Sequence, residues 1–130
     1  MLATKLSILV VEDHPFQLIA VQMHLNRMGF FHLTPALDAD EARRQCARRS
    51  TPFDLLICDI NLPDGDGVEL VGELVLAGQI RQAVLLSCQS EDDLSALHES
   101  FKGRGLPVLA CLSKPLDQNA LLQALGIELT

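Results

Sequence analysis

The feature that most constrains the fold is an apolar run, Leu55–Cys58, that ends abruptly in the carboxylate Asp59. An uninterrupted apolar run of this length predicts a strand buried on both faces of a parallel sheet. A carboxylate that follows such a strand falls at the carboxyl edge of the sheet, where open α/β folds place their ligand sites. The segment therefore predicts a fold class and the position of a functional site.

Two other apolar runs end in the same way. Ile8–Val11 is followed by Glu12 and Asp13, and Val108–Leu112 is followed closely by Lys114. Because the carboxyl ends of parallel strands share one edge, these polar side chains are expected to meet Asp59 although they are distant in sequence.

Strand and helix patterns alternate along the whole chain. The predicted strands are 6–11, 30–34, 53–59, 83–87 and 107–112, and the predicted helices are 15–28, 39–49, 68–77, 92–101 and 117–125. Gly29 and Gly78 predict helix ends, Asp38 and Ser90 predict helix N-caps, and residues 63–67 predict a loop. Five such units predict an α/β fold with a doubly wound, five-stranded parallel sheet, as one domain over residues 1–130.

Composition excludes several classes of function. The chain has a formal net charge of −7, with 17 acidic against 10 basic residues, which argues against a nucleic-acid-binding surface. An arginine cluster on the second helix is interpreted as a solvated face or a partner contact; its members are Arg43, Arg44, Arg48 and Arg49. No signal peptide or membrane-spanning run is recognisable, so a cytoplasmic protein without a membrane contact is expected. The cysteines show no paired spacing, and buried, reduced thiols are predicted at Cys46, Cys58, Cys88 and Cys111.

The residues at the predicted strand ends form a chemically coherent set. Three carboxylates brought close together repel one another unless a cation holds them, and Mg²⁺ suits oxygen ligands that share the ion with water and phosphate. Lys114 adds a positive charge, and Ser87, at the end of the fourth predicted strand, adds a hydroxyl donor. Taken singly, each residue is more often a cap, a turn residue or a surface lysine. Their joint occurrence at matching strand ends predicts a site that handles a phosphoryl group.

With these residues in place, the chain resembles the receiver domain of two-component response regulators. The family pattern is an acidic pair after the first strand, an aspartate after the third, Ser or Thr after the fourth and Lys-Pro after the fifth. Here it stands as Glu12-Asp13, Asp59, Ser87 and Lys114-Pro115, and residues 62–67 resemble the family's Pro-then-Asp-Gly loop. The resemblance covers nearly the whole chain and implies the flavodoxin-like (βα)5 receiver fold.

The resemblance also implies roles. Asp59 would accept a phosphoryl group from a phosphohistidine on a sensor histidine kinase or a histidine phosphotransfer protein, and Asp13 and Asp59 would ligate Mg²⁺. Glu12 would act on the ion through water, and the backbone carbonyl of Asn61 would complete the protein ligands. Ser87 and Lys114 would hold the phosphoryl oxygens. Two further implications are that Asn61 and Gln89 tune hydrolysis of the acyl phosphate and that the Lys114–Pro115 bond is cis.

One position departs from the family pattern. Receivers usually carry Tyr or Phe three residues before the lysine, and this chain has Cys111 there. The usual signalling route through the fourth helix and fifth strand is therefore in question, which leaves a phosphorylation-independent interaction module as the alternative function. An aspartate-nucleophile phosphatase is disfavoured, because Asn61 stands where that class needs a second aspartate. The chain is thus expected to be a signalling switch whose only enzymology is phosphoryl uptake and slow autodephosphorylation.

The output is left open at this point. Residues 15–17 and 109–115 loosely resemble receivers that precede cyclic-di-GMP phosphodiesterase domains. An output domain or a downstream protein of that kind is therefore one prediction for the partner, beside the phosphohistidine donor.

Overall fold

The computed structural model describes residues 5–126, so the first and last four residues of the predicted domain lie outside the described part of the chain. The strands are β1 (Ser7–Val11), β2 (His32–Ala36), β3 (Phe53–Asp59), β4 (Asn61–Leu62), β5 (Gly65–Asp66), β6 (Ile80–Ser87) and β7 (Val108–Ser113). The helices are α1 (Pro15–Arg27), α2 (Ala39–Ala47), α3 (Gly67–Leu76), α4 (Glu91–Gly103) and α5 (Gln118–Leu125). No helix within residues 5–126 is long and apolar enough to cross a bilayer.

The main sheet is parallel throughout and has the strand order β2-β1-β3-β6-β7. Helices cover both of its faces, as the apolar strand pattern predicts. On β1, Ile8 and Val10 pack with α1 and α5, while Leu9 and Val11 pack with α2, α3 and α4. Successive side chains of a strand point to opposite faces, so a strand covered on both sides must be apolar at every position. The predicted doubly wound α/β fold is confirmed.

The predicted second strand, 30–34, is wrong by two residues, because β2 begins at His32 and ends at Ala36. Phe30 is buried outside the strand, where its backbone N–H donates to the Leu25 carbonyl at the end of α1. The strand instead continues through Pro35 to Ala36. Proline has no N–H to give to a ladder, but β2 is an edge strand and pairs only with β1, so the loss is tolerated.

Other boundaries differ by a few residues. β6 begins at Ile80, three residues before the predicted start at residue 83. The prediction missed this part of the strand because Arg81 and Gln82 are polar and exposed, so the sequence there lacks the apolar strand pattern. α4 continues to Gly103, two residues beyond the predicted end. The remaining strand and helix ends agree with prediction to within two residues.

The predicted N-caps are confirmed. The Asp38 carboxylate accepts the Glu41 N–H at the start of α2, and the Ser90 hydroxyl accepts the Asp93 N–H at the start of α4. The predicted arginine cluster lies at the surface, and Arg48 and Arg49 fall just beyond the end of α2. Arg43 pairs with Asp40 and, across to α3, with Glu73. Those contacts fit the predicted solvated face.

The predicted loop at residues 63–67 contains more structure than expected. β4 and β5 form a two-stranded antiparallel ladder, and α3 begins at Gly67, directly after it. The Gly67 N–H donates to the Ile60 carbonyl at 2.8 Å. A Cβ at Gly67 would lie 2.2 Å from the Asp59 carbonyl oxygen and 2.9 Å from the Ile60 Cα. Glycine is therefore required for the chain to pass this close to the end of β3.

We predict opposite effects for two glycines of α3. Gly67→Ala should lower the free energy of unfolding by about 1–3 kcal/mol, because its methyl group meets backbone that cannot move independently. Gly72→Ala is the control; nothing lies within 4 Å of its Cβ, and the substitution should raise stability by about 0.5–1 kcal/mol. Urea unfolding measures both values. Equal stability of the two variants would contradict the close approach at Gly67.

Candidate functional site

The fold brings the predicted site residues to one edge of the sheet. Glu12 and Asp13 directly follow β1, Asp59 ends β3, Ser87 ends β6, and Lys114 follows β7. These four strands are consecutive neighbours in the sheet. Three of the residues, Glu12, Asp59 and Ser87, are buried although they are polar. Buried polar side chains at a strand edge require specific partners, since an unpaired charge there would be costly.

Lys114 is the partner of both buried carboxylates, Glu12 and Asp59. Its ammonium Nζ lies 2.8 Å from the Glu12 Oε2 and 2.9 Å from the Asp59 Oδ2. Burial lowers the pKa of Lys114, but its hydrogen bonds to Glu12 and Asp59 outweigh this effect, so the pKa is raised overall. The lysine therefore stays charged and bridges two buried carboxylates that are distant in sequence. The Lys114–Pro115 peptide bond that follows is cis.

Three carboxylates converge beside this lysine. Ligand oxygens of Glu12, Asp13 and Asp59 all lie within 4.8 Å of one another. Burial raises the pKa of Glu12, and the neighbouring charge of Asp59 also raises it, against the opposing effect of Lys114. One ammonium cannot neutralise three carboxylates, so the cluster keeps an excess of negative charge. Such a set of oxygens matches the preference of a hard divalent cation.

The backbone around Asp59 fixes its carboxylate. The Asn61 N–H donates to the Asp59 Oδ1 at 3.1 Å, and the Ile60 N–H donates to the Leu86 carbonyl of β6 at 3.0 Å. Asn61 itself lies in β4 with an exposed side chain. Asp59 thus has one oxygen on a backbone amide and the other on Lys114.

Ser87 ends β6 at the same edge of the sheet as Lys114. Its side chain is fully buried, and its Oγ accepts the Gln89 N–H at 3.1 Å. The Ser87 carbonyl accepts the Lys114 N–H at 2.9 Å, which joins the ends of β6 and β7. Gln89 is exposed, two residues beyond the serine. The structure therefore brings Ser87 and Lys114 to the same part of the edge, as predicted.

A groove of about 390 Å³ adjoins the pocket, between α1 and the ends of β6 and β7. It is lined by Glu12 and Lys114 at one end, and by Cys88 and Leu116 among others. Cys88 is exposed, so the prediction of a buried thiol is wrong there: the residue lies one position past the end of β6, outside the strand. Cys46 and Cys58 are buried and unpaired, and burial raises the pKa of both thiols.

Two polar contacts at the site were not predicted. The Lys114 Nζ donates to the Oε1 of Gln17, which lies in the first turn of α1, at 2.9 Å. Asp64, in the turn between β4 and β5, accepts the N–H groups of Ala39 and Asp40 at 2.9 and 3.0 Å. These bonds, the Ala39 bond foremost, lower the pKa of Asp64. Neither contact has a local sequence signature, because each joins elements that are separate in the chain.

Cys111 lies in the middle of β7, half-buried, and not fully buried as predicted. Its side chain lines a second groove, of about 350 Å³, together with Leu94 and Ser95 of α4 and Asp117 before α5. Partial burial raises the pKa of the Cys111 thiol to about 11, so it is a neutral thiol at physiological pH. Where receivers usually carry an aromatic ring, this chain has a small side chain beside open space.

This arrangement defines a class: a parallel α/β domain with an acidic, lysine-containing pocket at the carboxyl edge of its sheet. The family model described as "Response regulator receiver domain" matches residues 8–126. The chain belongs to the receiver domain family of two-component phosphorelay signalling. Receiver domains are signalling modules that work with histidine kinases or phosphotransfer proteins.

Individual relatives agree. The chain is 31% identical over 120 residues to the sensor protein EvgS of Escherichia coli K12. The aligned residues make up 92% of this chain but only 9% of EvgS. The crystal structure of a sensor protein from Polaromonas sp. JS666 is 31% identical, with a TM-score of 0.76 and coverage of 94% of each chain. The receiver of an HD domain-containing protein from Pseudomonas fluorescens Pf-5 is 28% identical, with a TM-score of 0.73 and coverage of 92% of this chain and 90% of that one.

The excess negative charge predicts that removing one carboxylate stabilises the metal-free protein. In EDTA, Asp13→Asn should raise the free energy of unfolding by about 1 kcal/mol, the repulsion between two like charges about 4 Å apart in water. The water value is used because Asp13 is exposed, although its neighbours Glu12 and Asp59 are buried. Asp92→Asn removes the same charge from the first turn of α4, outside the cluster, and should not stabilise the protein. Thermal unfolding of the three proteins in EDTA gives the comparison. A stability of Asp13→Asn at or below that of the wild type would contradict the excess charge.

Proposed function

We propose that this receiver is a switch that accepts a phosphoryl group on Asp59 from a phosphohistidine of a partner protein. The observation that carries the proposal is the bridge from the Lys114 Nζ to both Glu12 and Asp59. The bridge holds a cation beside the Asp59 carboxylate, and both Glu12 and Lys114 line the adjoining groove. Phosphoryl transfer depends mainly on positioning and on charge stabilisation, and these residues supply both.

The donor set fits Mg²⁺. Asp13, Asp59 and the backbone carbonyl of Asn61 would ligate the ion, with Glu12 acting through water. Mg²⁺, when bound, supplies positive charge that offsets the phosphoryl oxygens and the carboxylates. The convergence of three carboxylates beside a single lysine supports this assignment.

The chain's own residues would act in a simple order. The Asp59 carboxylate attacks phosphorus, and the phosphoryl group leaves the donor imidazole. Lys114 donates to one phosphoryl oxygen, and the Ser87 hydroxyl donates to a second phosphoryl oxygen. The exposed side chains of Asn61 and Gln89 flank the pocket and would set the rate at which water removes the phosphoryl group. The added charge at the sheet edge then changes a partner surface.

Treatment with Mg²⁺ and a small phosphodonor tests the chemistry. Wild-type protein should gain the mass of one phosphoryl group, because the Asp59 carboxylate lies beside the Lys114 ammonium and among the oxygens that would hold Mg²⁺. EDTA should abolish the gain. Asp59→Asn should show no gain, and Asp54→Asn, a carboxylate change at the other end of β3, should behave as the wild type. Intact-protein mass spectrometry measures the gain. Phosphorylation that persists in Asp59→Asn would exclude Asp59 as the acceptor.

The surface of α1 supports a protein donor. Phe16, Ile19 and Met23 are 81%, 52% and 50% exposed and follow one another at helical spacing, so they form an apolar stripe. Gln17, in the same first turn of α1, contacts Lys114. A partner that brings a phosphohistidine to Asp59 therefore has an apolar surface to cover beside the pocket. We assign the stripe to the phosphohistidine protein, since large apolar side chains exposed together are typical of interaction sites.

A charge on this stripe should weaken transfer from a protein donor. The donor in this test is a phosphohistidine protein that phosphorylates the wild type. Met23→Glu should slow transfer from that donor by about tenfold or more, because the substitution places a charge in an apolar contact. Leu76→Glu is the control, since Leu76 is 87% exposed on α3. Rapid-mixing assays with radiolabelled donor give the rates. Equal transfer to both variants would exclude the stripe as the docking surface.

Cys111 favours a second candidate, the phosphorylation-independent interaction module. Without an aromatic ring in β7, the pocket and the groove between α4 and α5 lack the usual connecting side chain. Equal partner affinity with and without the phosphoryl mimic beryllofluoride would favour this candidate over the switch. A cytoplasmic setting and an output through a cyclic-di-GMP phosphodiesterase stay predictions. The similarity to the receiver of an HD domain-containing protein is consistent with an attached or separate output domain.

A further inference from the structure

All three N–H donors of Lys114 are engaged. An ammonium group has three donors and no acceptor. Its partners here are the Glu12 Oε2 at 2.8 Å, the Asp59 Oδ2 at 2.9 Å and the Gln17 Oε1 at 2.9 Å. A fourth acceptor, such as a phosphoryl oxygen, can bond to Lys114 only if one of these contacts opens.

The three acceptors differ in how readily they can leave. Glu12 and Asp59 are buried carboxylates, and their separation from the ammonium would leave a charge unpaired away from water. Gln17 is exposed, its amide is neutral, and its oxygen can bond to water instead. Hydrogen bonds between a charge and a neutral group are weaker than those between two charges. Gln17 is therefore the partner whose release costs least.

We propose that Gln17 is a positioning residue that occupies the third donor of Lys114 before phosphorylation and gives up that donor to a phosphoryl oxygen. This inference rests on the proposed function of Asp59 as phosphoacceptor. Gln17 does not touch the phosphoryl group; it acts through Lys114, by competing for its ammonium. The competition lowers the rate of phosphoryl uptake.

Two substitutions change the competition in opposite directions. Gln17→Leu removes the acceptor at similar size, so uptake from a small phosphodonor should become about two- to tenfold faster, the worth of one hydrogen bond. Gln17→Glu replaces the neutral acceptor with a carboxylate and should slow uptake by a similar factor. Gln22→Leu, the same change five residues further along α1, is the matched control. A small donor is used so that docking on α1 does not enter the rate.

A second measurement observes the contact without any phosphoryl chemistry. The side-chain ammonium resonance of Lys114 in ¹H–¹⁵N spectra reports its hydrogen bonds and its exchange with solvent. Gln17→Leu should shift this resonance and speed its exchange, whereas Gln22→Leu should leave it as in the wild type. A loss of helix stability alone would not produce this selective change.

The outcomes separate the two proposals. If the wild type is phosphorylated and Gln17→Leu takes up the phosphoryl group no faster than the wild type, the proposed competition is wrong. Asp59 would remain the proposed acceptor in that case. An unshifted Lys114 resonance in Gln17→Leu would show that the contact is not held in solution, and would also overturn it. No phosphorylation of the wild type or of either Gln17 variant would overturn the proposed function, and the competition with it.

Discussion

The ion pairs of Lys114 are the interaction on which the rest of the site depends. A buried carboxylate is stable only with a partner, and Glu12 and Asp59 share this one ammonium. The contacts join residues that are 102 and 55 positions apart, so they form only when β1, β3 and β7 end at the same edge. The order of the strands and the chemistry of the pocket are thus linked by a single side chain.

Under the proposed function, the same lysine has two tasks that conflict. It would neutralise carboxylates when no phosphoryl group is present, and it would have to bind a phosphoryl oxygen when one arrives. Its raised pKa ensures that the positive charge is kept for both tasks. The backbone beneath it is held by other contacts: Gly67 packs against the Asp59 carbonyl, and Asp64 joins the following loop to α2. Motion at the site is therefore expected in the side chain of Lys114 more than in the backbone around Asp59.

The proposed route for a signal out of the pocket differs from the family pattern at Cys111. Ser87 and Lys114 lie at the ends of adjacent strands, and Cys111 lies three residues before the lysine on β7. Its neutral thiol borders an open groove between α4 and α5. A small side chain cannot fill this space, so a partner residue or a movement of α4 would have to take the place of the missing ring.

The local sequence pattern determined the α/β class, the strand β3 and the positions of Asp59 and Lys114 at strand ends. Burial on both faces of a sheet requires continuous apolar runs, and the ends of those runs are visible in the sequence. The local pattern misplaced β2, since Pro35 is compatible with a strand only at a sheet edge, and edge position is not a local property. Tertiary structure alone decided the order β2-β1-β3-β6-β7 and the contact of Gln17 with Lys114. Both depend on which elements become neighbours in space, and that is set by packing of the whole chain.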